Sequence, residues 1–219
     1  GDLTVSDSHI LNNVVSAETA FASLVVEVGV GTSHIYNINT HHNGDNQLYI
    51  DNAAIHSICK ATTSCIVEDL TLEGDSVFVQ THGSPTEVRN VTVRNSTKGG
   101  MQLYVENSYV NVVDVDIRDT FRGYGSGINV NIAPGSAGAV DMTNIYVYNT
   151  TTYLGGNCFH LMNSNDSVYN LRNTSCLHGK TLGHDIYLPG GTGLAGAIYN
   201  TTITVAGSYW YDLDSLSSG

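Results

Sequence analysis

The chain has 219 residues, a net charge of −12 and only 8 Lys and Arg residues, which argues against nucleic acid as a partner because basic groups must replace the phosphate counterions. The same charge argues more weakly against an anionic polysaccharide. No apolar run is long enough to span a membrane, and 23 Gly, 13 Tyr and only 3 Pro favour strands and turns over amphipathic helices.

A short motif, Asn or Asp followed by alternating apolar residues, returns from near the start of the chain to near its end. Successive copies are separated by between 21 residues (Asp69 to Asn90) and 32 residues (Asn37 to Asp69). The regular return of one motif indicates a repeat protein. The predicted members are Asn13, Asn37, Asp69, Asn90, Asp114, Asn144, Asn170 and Asn200.

A second series of alternating segments lies between these motifs, each after a polar or Gly-rich turn. Neither strand of a coil can bury its apolar face alone, but coils stacked about 4.8 Å apart bury all inward residues as one core. We therefore predict an all-β fold, a right-handed single-stranded parallel β-helix of about 7–8 coils with an Asn/Asp ladder. Residues 1–219 would form a single domain, either complete or a segment of a longer solenoid or filament subunit. The second series comprises residues 47–50, 76–79, 101–105, 127–132, 158–162, 185–188 and 209–213.

A β-sandwich is the alternative fold, because it also has short strands and frequent turns. It gives no reason for one polar residue to recur in register. A bend in a β-helix does give a reason, since a short amide tolerates the bend and hydrogen-bonds to the amide one coil away. Asp can accept but not donate, so the rungs at Asp69 and Asp114 are expected to be weaker or more exposed.

Four cysteines occur without a CxxC pair or a metal-type Cys/His spacing, which favours two disulfides and an oxidising compartment. Cys59 and Cys65 are close enough in sequence to close one loop, and Cys158 and Cys176 could pair across a turn of one coil. Four free, buried thiols are the alternative.

The turns before the second series stack into a stripe of polar side chains. Asp45 and Asp75 hold matching positions in adjacent coils, with His42 or His82 nearby, so their carboxylates could approach to the roughly 5–9 Å used by glycosidases. The alternative is a pair of solvated turn aspartates. No cofactor and no metal site are predicted, because His41 and His42 lack a third fixed ligand.

The segment Val88-Arg89-Asn90-Val91-Thr92-Val93-Arg94-Asn95, followed by a Gly-rich turn, resembles coils of the pectin-lyase-like superfamily, in particular polygalacturonase-type glycoside hydrolases. The resemblance implies a right-handed parallel β-helix and a polysaccharide lying on the stacked turns. The Asn-Thr-Asp, Asp-Asp, Gly-His-Gly and Arg-Ile-Lys motifs of those hydrolases do not occur in this sequence.

Six Asn-x-Ser/Thr sequons occur. Asn90 and Asn200 are expected to be buried ladder members, whereas Asn95, Asn149, Asn165 and Asn173 are the predicted glycan acceptors. Unmodified polar turn residues are the alternative at these positions.

The strand pattern runs to both ends of the chain without an amphipathic helix to cover the core. Open coils expose unpaired strand groups, so the ends are expected to continue into a longer protein, to meet other copies, or to be covered by capping loops. The expected function is a structural or adhesive β-helix glycoprotein, extracellular, secreted or surface-attached, that self-associates end-to-end into filaments or side-by-side. The alternatives are a polysaccharide hydrolase or lyase and a carbohydrate-binding tailspike segment. Polysaccharide is a candidate partner; nucleic acid and a membrane span are not.

Overall fold

The structure, a computed structural model, describes residues 1–11, 22–41, 53–60, 64–97, 99–124, 127–154, 156–162, 167–177, 184–187, 201–206 and 209–211. The regular structure in these ranges consists of strands alone. In chain order they are β1 (Leu3–Leu11), β2 (Ala22–Val28), β3 (Thr32–His41), β4 (Ala53–Cys59), β5 (Ser64–Glu73), β6 (Val77–His82), β7 (Thr86–Arg94), β8 (Met101–Glu106), β9 (Ser108–Arg118), β10 (Phe121–Tyr124), β11 (Ile128–Ile132), β12 (Gly138–Tyr148), β13 (Thr151–Leu154), β14 (Gly156–Met162), β15 (Ser167–Leu177), β16 (His184–Tyr187), β17 (Thr201–Ala206) and β18 (Tyr209–Tyr211).

The strands form two long parallel sheets that the chain visits alternately. The first sheet runs β1-β3-β5-β7-β9-β12-β15-β17, with β18 pairing along the second half of β15. The second runs β2-β4-β6-β8-β11-β14-β16, and β10 and β13 form a two-stranded sheet in the turns. This parallel β-solenoid, with eight successive rungs in its first sheet, confirms the predicted fold class. Its crossovers are of the type that is right-handed in nearly all parallel sheets.

Each long strand of the first sheet contains a bend at one residue with positive φ. In β3, Ser33 and Ile35 point inward, Asn37 has a φ of 51°, and the inward positions then resume at Ile38 and Thr40. The bend therefore shifts the alternation by one residue and lets both halves of the strand face the core. Asn and Asp suit this position because they tolerate the left-handed conformation better than other side chains. The residues at this bend are Asp7, Asn37, Asp69, Asn90, Asp114, Asn144 and Asn173.

The bend column differs from the predicted ladder in two described coils, at Asp7 and at Asn173. Asn170 lies in register with Asp141, three residues before the bend, and Asn173 is the residue that follows Asn144 in the column. An outward Asn on a straight strand gives the same Asn-apolar pattern as an Asn at a bend, which is why the sequence misplaced this rung. Asn13 and Asn200 lie outside the described residues, and Asp7 holds the bend of the first coil.

The Asp rungs, which were expected to be weaker or more exposed, are hydrogen-bonded and as exposed as the Asn rungs. Asn90 Nδ2 donates to Asp69 Oδ1 at 2.5 Å, and Asn144 Nδ2 donates to Asp114 Oδ1 at 2.8 Å. Each of these carboxylates thus accepts from the amide of the following coil. Asn90, which was expected to be buried, is exposed together with the rest of this outward column.

The inward side chains of both sheets form one apolar core, with Tyr169 and Phe159 as its largest fully buried members. Both predicted disulfides are present. Cys59–Cys65 closes the turn between β4 and β5, and Cys158–Cys176 joins β14 of the second sheet to β15 of the first. All four cysteines are buried, so the bridges link the two sheets through the core.

Candidate binding face on the second sheet

Two outward columns of side chains run along the second sheet because its strands alternate and stack in register. One column contains Gln80 and Tyr104 in register on β6 and β8. The other pairs His56 with Phe78 and continues along the sheet. Its members are His56, Phe78, Gln102, Asn129 and His160.

Hydrogen bonds connect these columns across three coils. Gln80 Oε1 lies 3.3 Å from His56 Nε2, and Gln80 Nε2 lies 2.8 Å from His82 Nε2. His82 Nδ1 lies 2.5 Å from Glu106 Oε2. An amide nitrogen only donates, so His82 Nε2 accepts from Gln80 and His82 Nδ1–H donates to the Glu106 carboxylate. We call His56, Phe78, Gln80, His82, Tyr104 and Glu106 the histidine–glutamine face.

Aromatic contacts fix the rings of this face. The His56 ring stacks on Phe78 with centroids 4.4 Å apart, and the His82 ring is tilted against Tyr104 at 5.8 Å. His56 is only 6% exposed, whereas Gln80, His82 and Tyr104 are half-buried. The face therefore has a rigid, buried row and a partly exposed row beside it.

The chemistry of this face suits binding. Amide, imidazole and phenol groups offer both donors and acceptors, and the aromatic rings offer flat apolar surface. Its one carboxylate, Glu106, already accepts from His82, so the face lacks the pair of carboxylates that a glycosidase requires. The sequence signal for it was Gln80-Thr81-His82, whose alternation places an amide and an imidazole outward, but this pattern was not taken as a binding face.

Of the two predicted catalytic carboxylates, Asp75 is the one that the structure describes. His42 and Asp45 lie outside the described residues. Asp75 is fully buried, one residue after a second bend at Gly74, so it is neither a solvated turn residue nor accessible to a polymer. The corresponding position of the following coils is also buried and polar, and holds Ser96, Thr120 and Thr150.

The predicted glycan acceptors belong to the two bends. Asn95 and Asn149 occupy the second bend, and their Nδ2 atoms donate to Glu73 at 2.6 Å and to Asp119 at 2.5 Å. Asn173 occupies the first bend and donates to Asn144 Oδ1 at 2.7 Å. Asn165 lies outside the described residues. Each described acceptor amide therefore already makes a hydrogen bond between coils.

A separate groove of about 470 Å³ follows the turns that lead into the first sheet. Pro85, Ala139 and Val168 line it together with Tyr109, which is 46% exposed. The Tyr109 hydroxyl donates to Asp141 Oδ2 at 2.9 Å, and partial burial followed by this hydrogen bond raises the pKa of Tyr109. The phenol thus stays protonated at neutral pH, but the groove holds no second ionisable group positioned for catalysis among its lining residues.

No group of three His, Cys, Asp or Glu side chains that could hold a metal ion occurs in the described part of the chain. Nor do the described residues contain a helix that could cross a membrane.

No protein-family model matches the chain, and neither a curated protein nor a solved structure matches it. The resemblance to polygalacturonase-type coils therefore stays an expectation from the sequence. The function has to be argued from the residues of this chain.

Proposed function

We propose that this protein is a structural or adhesive β-solenoid of the extracellular space that holds a polysaccharide on its histidine–glutamine face. The observation that carries the proposal is the hydrogen-bonded series from His56 through Gln80 and His82 to Glu106, beside the Tyr104 ring. The extracellular location is supported by the two disulfides, which persist in oxidising compartments.

A repeating polymer suits a repeating surface. The rungs of the second sheet are about 4.8 Å apart, so equivalent side chains recur at short, regular intervals along the rod. Sugar hydroxyls can both donate to and accept from the Gln80 amide, and their apolar ring faces can pack on Tyr104. A half-buried row held by neighbours loses little conformational freedom when it binds, which favours affinity.

The alternative function, a polysaccharide hydrolase or lyase, has less support. Its assigned carboxylate Asp75 is buried, and Glu106 is bound by His82. We expect no reducing-sugar release from pectic, alginate or related polymers. Reducing-sugar release that persists in Asp75→Asn but is lost in Glu106→Gln would show that the protein is an enzyme with Glu106 in its active site. That result would contradict the proposal.

Affinity electrophoresis through gels containing a panel of polysaccharides tests the binding face. We expect at least one polymer to retard the wild-type protein, and Gln80→Ala and Tyr104→Ala to abolish the retardation. Tyr36→Ala is the matched control, because Tyr36 is also a half-buried tyrosine beside a histidine ring, but lies on the first sheet. Equal retardation of all variants would overturn the assignment of this face.

A further inference from the structure

The basic residues of this acidic chain are concentrated in one region. Four of the 8 Lys and Arg residues, Arg94, Lys98, Arg118 and Arg122, lie between positions 94 and 122. Arg94 of β7 and Arg118 of β9 are direct register partners in adjacent coils. Like charges directly opposite each other destabilise a sheet, so the arrangement needs a compensating interaction.

Arg118 is held in a fixed orientation. Its Nε donates to Asp116 Oδ1 at 2.7 Å, and its guanidinium lies over the Tyr146 ring at 4.9 Å from the centroid. Tyr146 is stacked with Tyr148 at 6.3 Å, and Tyr148 follows Arg118 in the same column. The side chain of Arg118 remains 42% exposed, so its terminal nitrogens can reach a ligand from solvent.

Arg94 has no comparable partner among the residues that the structure describes. It is exposed, and its guanidinium makes no hydrogen bond or ion pair with another described residue. Glu73 is its register partner on the other side, but the Glu73 carboxylate accepts from Asn95 Nδ2 at 2.6 Å. The nearby Asp119 carboxylate likewise accepts from Asn149. Arg94 and Arg118 therefore hold adjacent register positions with exposed side chains, and Asp116 is hydrogen-bonded to Arg118 alone of the two.

We propose that Arg94 and Arg118 together bind one oxyanion, a carboxylate or a sulfate carried by an acidic sugar, whose ring packs beside Tyr148. Guanidinium groups bind such anions through paired, charge-assisted hydrogen bonds, and a bound anion removes the repulsion between the two arginines. This site lies at the ends of the first-sheet strands, away from the histidine–glutamine face.

The net charge of −12 argues against an anionic ligand, but salt limits the range over which this charge acts. Interactions between exposed charges are largely screened beyond about 8 Å at physiological ionic strength. A ligand at Arg94 therefore responds to the local pair of guanidinium groups more than to carboxylates elsewhere on the rod.

Isothermal titration of the full chain tests the site with three hexasaccharides: a uronic acid oligomer, a sulfated oligomer of neutral sugars, and an uncharged oligomer. We expect one or both acidic oligomers to bind, more weakly as salt increases, and the uncharged oligomer not to bind at this site. Binding of only one acidic oligomer would identify carboxylate or sulfate as the anion. Arg94→Gln and Arg118→Gln are expected to weaken binding by about tenfold or more.

Two controls keep this test decisive. Arg172→Gln removes an exposed arginine elsewhere on the first sheet and should leave the affinity unchanged. Without ligand, Arg94→Gln should melt at the wild-type temperature or above it because a like-charge contact is lost, and inorganic sulfate should raise the Tm of the wild type but not of this variant. Unchanged affinity in Arg94→Gln and Arg118→Gln, or equal binding of the uncharged oligomer, would overturn the proposal without touching the histidine–glutamine face.

Discussion

At the first bend of each coil, the choice between Asn and Asp sets the direction of hydrogen bonding along the rod. Asn144 both accepts from Asn173 and donates to Asp114, so it transmits the series from one coil to the next. Asp can only accept, so it stands at the start of each hydrogen-bonded run, as Asp7 does for Asn37. The mixture of the two residue types is therefore part of the pairing scheme.

Asn144→Asp tests this scheme at a single residue. The new carboxylate loses the donor to Asp114 and places two negative charges in adjacent coils, while Asn173 can still donate to it. We expect the free energy of unfolding to fall by about 1 kcal/mol, measured by urea denaturation.

Asp114→Asn is the matched control, because Asn144 can still donate to the new amide oxygen and no charge is added. Its stability should stay close to that of the wild type. Equal destabilisation by both substitutions would show that charge in this column is unimportant.

At the scale of the strand, alternation predicted the existence and parallel stacking of the elements but not every bend. The segments around 76–79, 101–105, 127–132 and 158–162 were assigned to the second series and lie on the second sheet. The segment 209–213 was assigned to the same series, but its strand β18 pairs with β15 of the first sheet. Asn170 was misassigned because an outward Asn on a straight strand and an Asn at a bend share one pattern. Asp75 was misplaced because the sequence does not reveal that Gly74 forms a second bend, which turns the next side chain inward.

A close approach between β-strands of the second sheet explains one glycine. A Cβ atom at Gly127 would lie 2.3 Å from the carbonyl oxygen of Cys158 in the next coil. The backbone itself is the obstacle, so the coils would have to move apart. We expect Gly127→Ala to lower the free energy of unfolding by about 1–3 kcal/mol, measured by chemical denaturation.

Gly29→Ala provides the comparison for that substitution, since a Cβ at Gly29 meets nothing within 4 Å. It should leave the stability unchanged or raise it slightly, because alanine reduces the conformational entropy of the unfolded chain. A similar loss in both variants would mean that glycine flexibility, and not coil spacing, is what Gly127 provides.

At the scale of the whole molecule, most of the large apolar side chains that are exposed among the described residues lie in the first coil. Leu3 is 41% exposed, Leu11 54%, Val25 52% and Val30 68%. Leu3 lies in register with the buried Ser33, so a contact between copies at the first coil would cover it. End-to-end self-association of the rod stays a prediction.

Light scattering over a range of concentrations measures that self-association. Leu3→Glu should shift the protein towards the monomer, since a charge would enter the contact. Thr4→Glu adds the same charge at an exposed outward position of the same strand and should leave the association state as in the wild type. A monomeric wild type at all concentrations would contradict the prediction.

The bends also determine where sequons appear in the gene. After the bend at Asn90, the chain places Val91 inward and Thr92 outward, and this order of an amide, an inward residue and an outward hydroxyl reads as Asn-x-Thr. The sequon at Asn173 arises in the same way, with Thr174 buried and Ser175 half-exposed. Oligosaccharyltransferase motifs can thus accumulate in such a rod through folding requirements alone. The number of sequons therefore follows the number of coils and does not by itself predict the number of glycans. A mass spectrum of the native protein measures how many sequons are occupied.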